Sequence, residues 1–132
     1  MAKRRILIVD DESYIVSILS LKFRQLGDQI FTACDGDEGF TAACKELPNL
    51  IISDYQMPGM NGLQMATRLR QNRATAHIPI ILLTARAHRL EPGQLNQTGI
   101  RHVLDKPFSV REVIARAQEL TKTTAAAPAG QK

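Results

Sequence analysis

The chain predicts an α/β fold in which βα units repeat around a parallel sheet covered on both faces. Five short aliphatic runs, near 6–9, 30–33, 50–53, 80–83 and 101–104, alternate with segments patterned as helices. None of the five alternates cleanly between polar and apolar residues, as a strand with one wet face would, so both faces of the sheet should be buried.

Each element follows from local chemistry. After the first run, segment 13–26 places Ile15, Ile18, Leu19, Leu21 and Leu26 at helical spacing, and Gly27-Asp28 ends it. Asp35 reads as an N-cap with Glu38 three residues on, opening a helix to about Leu47, and Pro48-Asn49 breaks the chain before the third run. Turn formers between Tyr55 and Gly62 deliver a helix from about Leu63 to Arg70. A fourth helix belongs between Arg86 and Gly99, yet Pro92-Gly93 interrupts it. Two readings stay open there: a short or mobile helix, or a regular one starting at Glu91 with proline in its first turn. Ser109 caps the last helix through Glu112, with Val110, Val113, Ile114, Ala117 and Leu120 as its apolar stripe.

With 132 residues, 44% apolar and 5% aromatic, the chain fits one domain with a branched aliphatic core. That domain is expected to end near Leu120, because 121–132 holds no large apolar residue and reads as a flexible Thr/Ala/Pro tail or linker. No apolar run could cross a membrane, and the basic start lacks the continuous apolar stretch of a signal peptide, so a cytoplasmic location and no membrane partner are expected. Cys34 and Cys44 read as reduced thiols. The net charge of +4 can steer an acidic partner, but no nucleic-acid motif accompanies the basic residues, so direct nucleic-acid binding is not expected.

The chemistry lies where the apolar runs stop. Asp10-Asp11 follows the first run, Asp54 the third, Thr84 the fourth, and Lys106 follows Val103-Leu104-Asp105. Ligands of an open parallel sheet gather outside the carboxyl ends of its strands, so three carboxylates, a hydroxyl and an ammonium would converge there. Such an oxygen-rich set suits magnesium, with Asp11, Asp54 and the backbone carbonyl of Gln56 as direct ligands and Asp10 in support; Glu12 reads as a surface or first-turn residue. Without a cation the carboxylates repel, and at least one pKa should rise. Asp54 is the candidate nucleophile toward phosphorus, Lys106 the charge-compensating cation, and Thr84 the hydroxyl that a new phosphoryl group would draw in, moving the loop 85–90.

These residues resemble the receiver domains of two-component response regulators, of the chemotaxis type, over about 4–120. The resemblance rests on Ile6-Leu7-Ile8-Val9-Asp10-Asp11-Glu12, on Asp54 with Met57-Pro58-Gly59-Met60-Asn61-Gly62, on Thr84-Ala85 and on Lys106-Pro107-Phe108. It implies a doubly wound, flavodoxin-like sheet in order 2-1-3-4-5 with five helices, and magnesium at Asp10, Asp11 and Asp54. It further implies phosphoryl transfer to Asp54 from a histidine kinase or histidine phosphotransfer protein, slow self-catalysed hydrolysis, and switch and lysine roles for Thr84 and Lys106. A homodimer through the last helices and an unknown downstream protein at the 86–116 face would be family-typical. Gln56 and Arg86 occupy positions that tune access of water to the phosphoryl group. Members usually carry Tyr or Phe three residues before the lysine; here that residue is Val103, whose single χ angle cannot swing a ring. His102 should point to the opposite side of the strand, either substituting for the ring or facing solvent or a partner. Two rival functions are a phosphate-independent binding scaffold, favoured by Val103 and the interrupted fourth helix, and an aspartyl-phosphate hydrolase, which would need an acid–base carboxylate where Gln56 stands.

Overall fold

The computed structural model describes residues 3–130. Its elements run β1 (Arg5–Val9), α1 (Ser13–Gln25), β2 (Gln29–Ala33), α2 (Gly36–Glu46), β3 (Leu50–Asp54), α3 (Gly62–Gln71), β4 (Ile80–Thr84), α4 (Pro92–Leu95), β5 (Ile100–Asp105) and α5 (Val110–Gly130). The five strands form one sheet in the order 2-1-3-4-5, and every pairing is parallel. The doubly wound sheet expected from the sequence is the fold of the chain.

Branched residues fill both sides of the sheet. On one side Ile15, Leu19 and Phe23 of α1 and Val113 and Ala117 of α5 pack with Ile6, Ile8, Ile52, Ile81 and Leu83. On the other, Ala43 of α2 and Met65, Ala66 and Leu69 of α3 pack with Leu7, Val9, Ile51 and Leu82. β3 and β4 are buried along their whole lengths, which explains why neither shows a polar alternation.

The helix starts are held by the side chains expected of them. Asp35 accepts from Glu38 N–H at 2.8 Å, and Glu38 Oε1 reaches back to Cys34 N–H at 2.6 Å, one residue beyond the N-cap. Asn61 and Gln64 close a reciprocal capping box at α3, and Ser109 accepts from Glu112 N–H at 3.3 Å. The fourth helix is short: a single 3-10 turn at Ala87–Arg89 precedes four helical residues that begin at Pro92. Proline sets the start, and Glu91 N–H donates to Gln94 Oε1 at 2.8 Å.

Two features depart from the sequence reading. Thr121, expected to open a flexible tail, is 3% exposed; its hydroxyl donates to the Ala117 carbonyl at 2.8 Å and accepts from Arg4 at 3.2 Å. The backbone of α5 continues to Gly130; positions 131 and 132 lie outside the described residues. The second departure is a bulge in β5. Ile80 pairs with Ile100 but Ile81 pairs with His102, so Arg101 is the extra residue.

Leu47 closes α2 in the left-handed region, at φ 47 and ψ 63, with its side chain 44% exposed. A Cβ is strained there and glycine is not. Leu47→Gly is expected to raise stability by about 0.5–1 kcal/mol, read as a higher urea midpoint at unchanged slope. An unchanged or lowered midpoint would contradict the strain.

Candidate functional site

The sheet register carries the site. Val9 pairs with Ser53, Asp54 with Leu83, and Thr84 with Asp105, so Asp10, Asp54, Thr84 and Lys106 leave their strands at one end of the sheet. Asp54 is braced from behind. Tyr55 N–H donates to the Leu83 carbonyl at 2.9 Å, and Gly62 N–H to the Tyr55 carbonyl at 2.7 Å. That return is tight enough that a Cβ on Gly62 would lie 2.3 Å from the Asp54 carbonyl oxygen, which only glycine permits.

The Lys106 ammonium is the centre of the cluster. It lies 3.2 Å from Asp54 Oδ1, 3.4 Å from Asp10 Oδ2 and 3.0 Å from Glu12 Oε1. Lys106 is brought there by β5, whose last contact is Lys106 N–H donating to the Thr84 carbonyl at 2.9 Å, and the peptide to Pro107 is cis. Asp10 and Asp54 are buried, at 2% and 6% exposure. Asp10 Oδ1 also accepts from Glu12 N–H at 2.9 Å.

Burial sets the electrostatics. It pushes the Asp10 carboxyl up to about 6, with the Asp54 charge adding to the rise, against the pull of the Glu12 N–H and Lys106. Asp54 is also raised, chiefly by burial and with a contribution from Asp11, while Lys106 and the Tyr55 N–H oppose the shift. Burial alone would lower Lys106, but its contacts with Glu12, Asp10 and Asp54 outweigh that and raise it. Two carboxylates held in a partly dry site are thus short of positive charge, as the clustering of acids at the strand ends requires.

Asp10, Glu12 and Asp54 each offer an oxygen within 4.8 Å of the others, an all-oxygen set that can hold a hard cation. Glu12 enters this group although it is exposed and sits at the N-cap of α1. Its Asp-Asp-Glu context gave no signal that it would lean toward a lysine 94 residues away. Asp11 and Gln56 are exposed beside the cluster.

Thr84 is 1% exposed, and its hydroxyl accepts from Arg86 N–H at 3.0 Å, which couples it to the start of the following loop; the Arg86 residue is itself exposed. Val103, like Leu90 and Leu95, is partly buried against the core on the α2–α3 face of the sheet. His102 faces the other way, with Nε2 3.4 Å from Glu119 Oε1 on α5, where Arg116 also reaches Glu119 at 2.9 Å.

The fold and this cluster define a doubly wound α/β domain with an acidic, lysine-bridged site at the carboxyl ends of its strands, and the comparisons give its family. The chain belongs to the response regulator receiver domain family, which it matches over residues 6–118. It is 35% identical over 129 residues to the alkaline phosphatase synthesis transcriptional regulatory protein PhoP of Bacillus subtilis, an alignment covering 97% of this chain and 53% of that protein. The chain spans about half the length of the curated relatives it matches first. Among solved structures it is similar to the Francisella response regulator 1452 receiver domain, with a TM-score of 0.83 and 28% identity over 92% of this chain and 99% of that one. It is also similar to the receiver domain of a sensor histidine kinase of Pseudomonas aeruginosa, which has a magnesium ion coordinated in the active site cleft. That match has a TM-score of 0.80 and 26% identity over 90% of this chain and 98% of the other. Among the described residues no helix is long and apolar enough to cross a membrane.

Proposed function

We propose that Asp54 accepts a phosphoryl group from a phosphohistidine on a histidine kinase or histidine phosphotransfer protein, and that the modified domain signals through the loop after β4. The observation that carries this reading is the single ammonium of Lys106 within 3.0–3.4 Å of Asp10, Glu12 and Asp54. An Asp54 carboxylate oxygen attacks phosphorus, the phosphorus–nitrogen bond to the donor histidine breaks, and the imidazole leaves with that electron pair. Lys106 neutralises charge on the transferring oxygens, and Asp54 is fixed for in-line approach by the Tyr55 and Gly62 backbone contacts.

Magnesium, held by Asp10, Asp11 and Asp54 with the Gln56 carbonyl, would supply further charge compensation; the raised carboxyls of Asp10 and Asp54 support a cation there, and the oxygens that already converge are those of Asp10, Asp54 and Glu12. Thr84 is the switch. Drawing its hydroxyl toward phosphoryl oxygens takes it from Arg86 N–H, so the backbone at 85–90 must find a new arrangement. The readout differs from a ring rotation, since Val103, partly buried against the core, presents no ring to turn. Arg86 and Gln56 border the entry for water, and a neutral amide at Gln56 gives no acid–base group for rapid turnover, so hydrolysis is slow. A downstream protein is met at the 86–116 face.

Acetyl phosphate with magnesium, followed by intact mass, tests this reading. Wild type is expected to gain one phosphoryl group and Asp54→Asn none. A wild-type mass that never changes would leave a phosphate-independent scaffold, and repeated rapid turnover would leave a hydrolase.

A further inference from the structure

β2 is an end strand of the sheet, so one of its sides has no neighbouring strand. Gln29 N–H donates to the Arg4 carbonyl at 2.8 Å and the Ala33 carbonyl accepts from Asp10 N–H at 3.1 Å, so residues 29, 31 and 33 turn their backbone groups toward β1. Backbone direction alternates along a strand, which leaves the N–H and C=O of Ile30 and of Thr32 pointing outward. Among the described residues neither pair of groups meets a partner.

The two edges of the sheet differ. β5, at the opposite edge, is blunted by the bulge at Arg101 and by the exposed charges of Arg101 and Asp105, devices that discourage the addition of another strand. β2 has neither. Gln29-Ile30-Phe31-Thr32-Ala33 carries no charge and no proline and pairs with β1 in unbroken register. Ile30 and Phe31 are partly buried on opposite faces of the sheet, and Thr32 is exposed. On the α1 face a cleft of about 290 Å³, lined by Val16, Ser17, Thr32 and Cys34 among others, separates the helix from the end of the strand.

We propose that β2 pairs with β2 of a second copy of this chain, antiparallel about a two-fold axis at Phe31. The strand is complementary to itself in that arrangement. Ile30 of each copy faces Thr32 of the other, so the two outward N–H and two outward C=O groups on each side are all satisfied, in four hydrogen bonds. Phe31 meets Phe31 across the axis on the α2 face, an aromatic cross-strand pair. Charge selects the same orientation. The chain enters β2 from Lys22 and Arg24 in the last turn of α1 and leaves it into Asp35, Asp37 and Glu38 at the start of α2, while Asp28 is already bound by Arg4. Antiparallel pairing sets the basic entry of each copy toward the acidic exit of the other, twice over, whereas parallel pairing would set like charge toward like. A strand from a different protein would satisfy the backbone alone.

So short an edge makes a small contact, and the association is weak. Sedimentation equilibrium of the full chain tests it, with a dimer expected at about 0.1–1 mM protein. Thr32→Pro deletes one outward N–H from each copy, two of the four bonds, and touches no bond to β1; proline is tolerated on an edge strand at such a position, and the residue before it stays extended. The variant should dimerise about 10-fold more weakly, with an unchanged far-UV circular dichroism spectrum. Register is read by Phe31→Cys in a chain that also carries Cys34→Ser and Cys44→Ser. Residues paired at the axis have Cα atoms about 4.5 Å apart, within reach of a disulfide, whereas the same chain with Thr32→Cys in place of Phe31→Cys holds its two thiols two residues out of register. Mild oxidation should cross-link the first chain about 10-fold more than the second. A chain monomeric at about 1 mM, a dimer indifferent to Thr32→Pro, as one formed through α5 would be, or equal cross-linking at the two positions would each overturn the proposal.

Discussion

Lys106→Met is expected to slow phosphoryl uptake by about 10²-fold, the usual cost of removing one charge-stabilising group from a transferring centre. The size follows from the geometry. The Lys106 side chain is 16% exposed and is the sole cation among the ion pairs formed by Asp10, Glu12 and Asp54 in the described residues. A methionine keeps the stem and deletes the charge, leaving two buried carboxylates whose pKa values burial has already raised. Both must then rise further, so a smaller share of Asp54 is ionised and able to attack. Magnesium should restore part of the rate, because the cation opposes the same repulsion. Arginine is a poor replacement, since its planar fork cannot sit between three carboxylates as a point charge does. Uptake by Lys106→Met at the wild-type rate would remove the lysine from the chemistry.

Asp10→Asn is expected to stabilise the metal-free domain by about 1–3 kcal/mol at pH 7–8 while abolishing most of the stabilisation that magnesium confers. Asp10 titrates near 6 in the fold against 3.8 for the free group, so the folded chain holds the Asp10 proton more tightly than the unfolded chain does. Stability from this group is therefore complete below about pH 4 and lost as the pH rises through about 6. At pH 7–8 the wild type carries a buried, crowded carboxylate that asparagine replaces with a neutral amide, which still offers an oxygen to Glu12 N–H. Urea titrations at pH 4, 6 and 8, with and without magnesium, read both effects. The wild-type curve should gain from magnesium at pH 8 and little at pH 4, where protons compete for the ligand oxygens. A variant no more stable than wild type at pH 8 would contradict the crowding.

The strands were legible because branched runs bounded by polar residues need no distant information. Their ends were less so. Asp54, Thr84 and Asp105 belong to β3, β4 and β5 because their backbones still pair with neighbours, although their side chains read as the first residues of loops. Asp35 and Ser109 were identifiable as caps because their partners lie three residues away. Glu12 and Thr121 were not, because each depends on a partner far along the chain: Lys106, 94 residues away, for the first and Arg4, 117 residues away, for the second. The placement of Asp10, Asp54, Thr84 and Lys106 at one end of the sheet followed from strand order alone, and the opposite facing of His102 and Val103 from the alternation of side chains along a strand.

The skipped residue at Arg101 divides β5 into two mechanically distinct pieces. Ile100 is fastened to Ile80, and the stretch from His102 to Asp105 is fastened to Ile81 through Thr84. A ladder interrupted by one unpaired residue bends there more easily than a continuous one. Displacement of Thr84 can therefore tilt the terminal piece, with Lys106 at its tip and His102 clasped to α5, while the first piece stays moored and the hydrophobic interior beneath it remains closed.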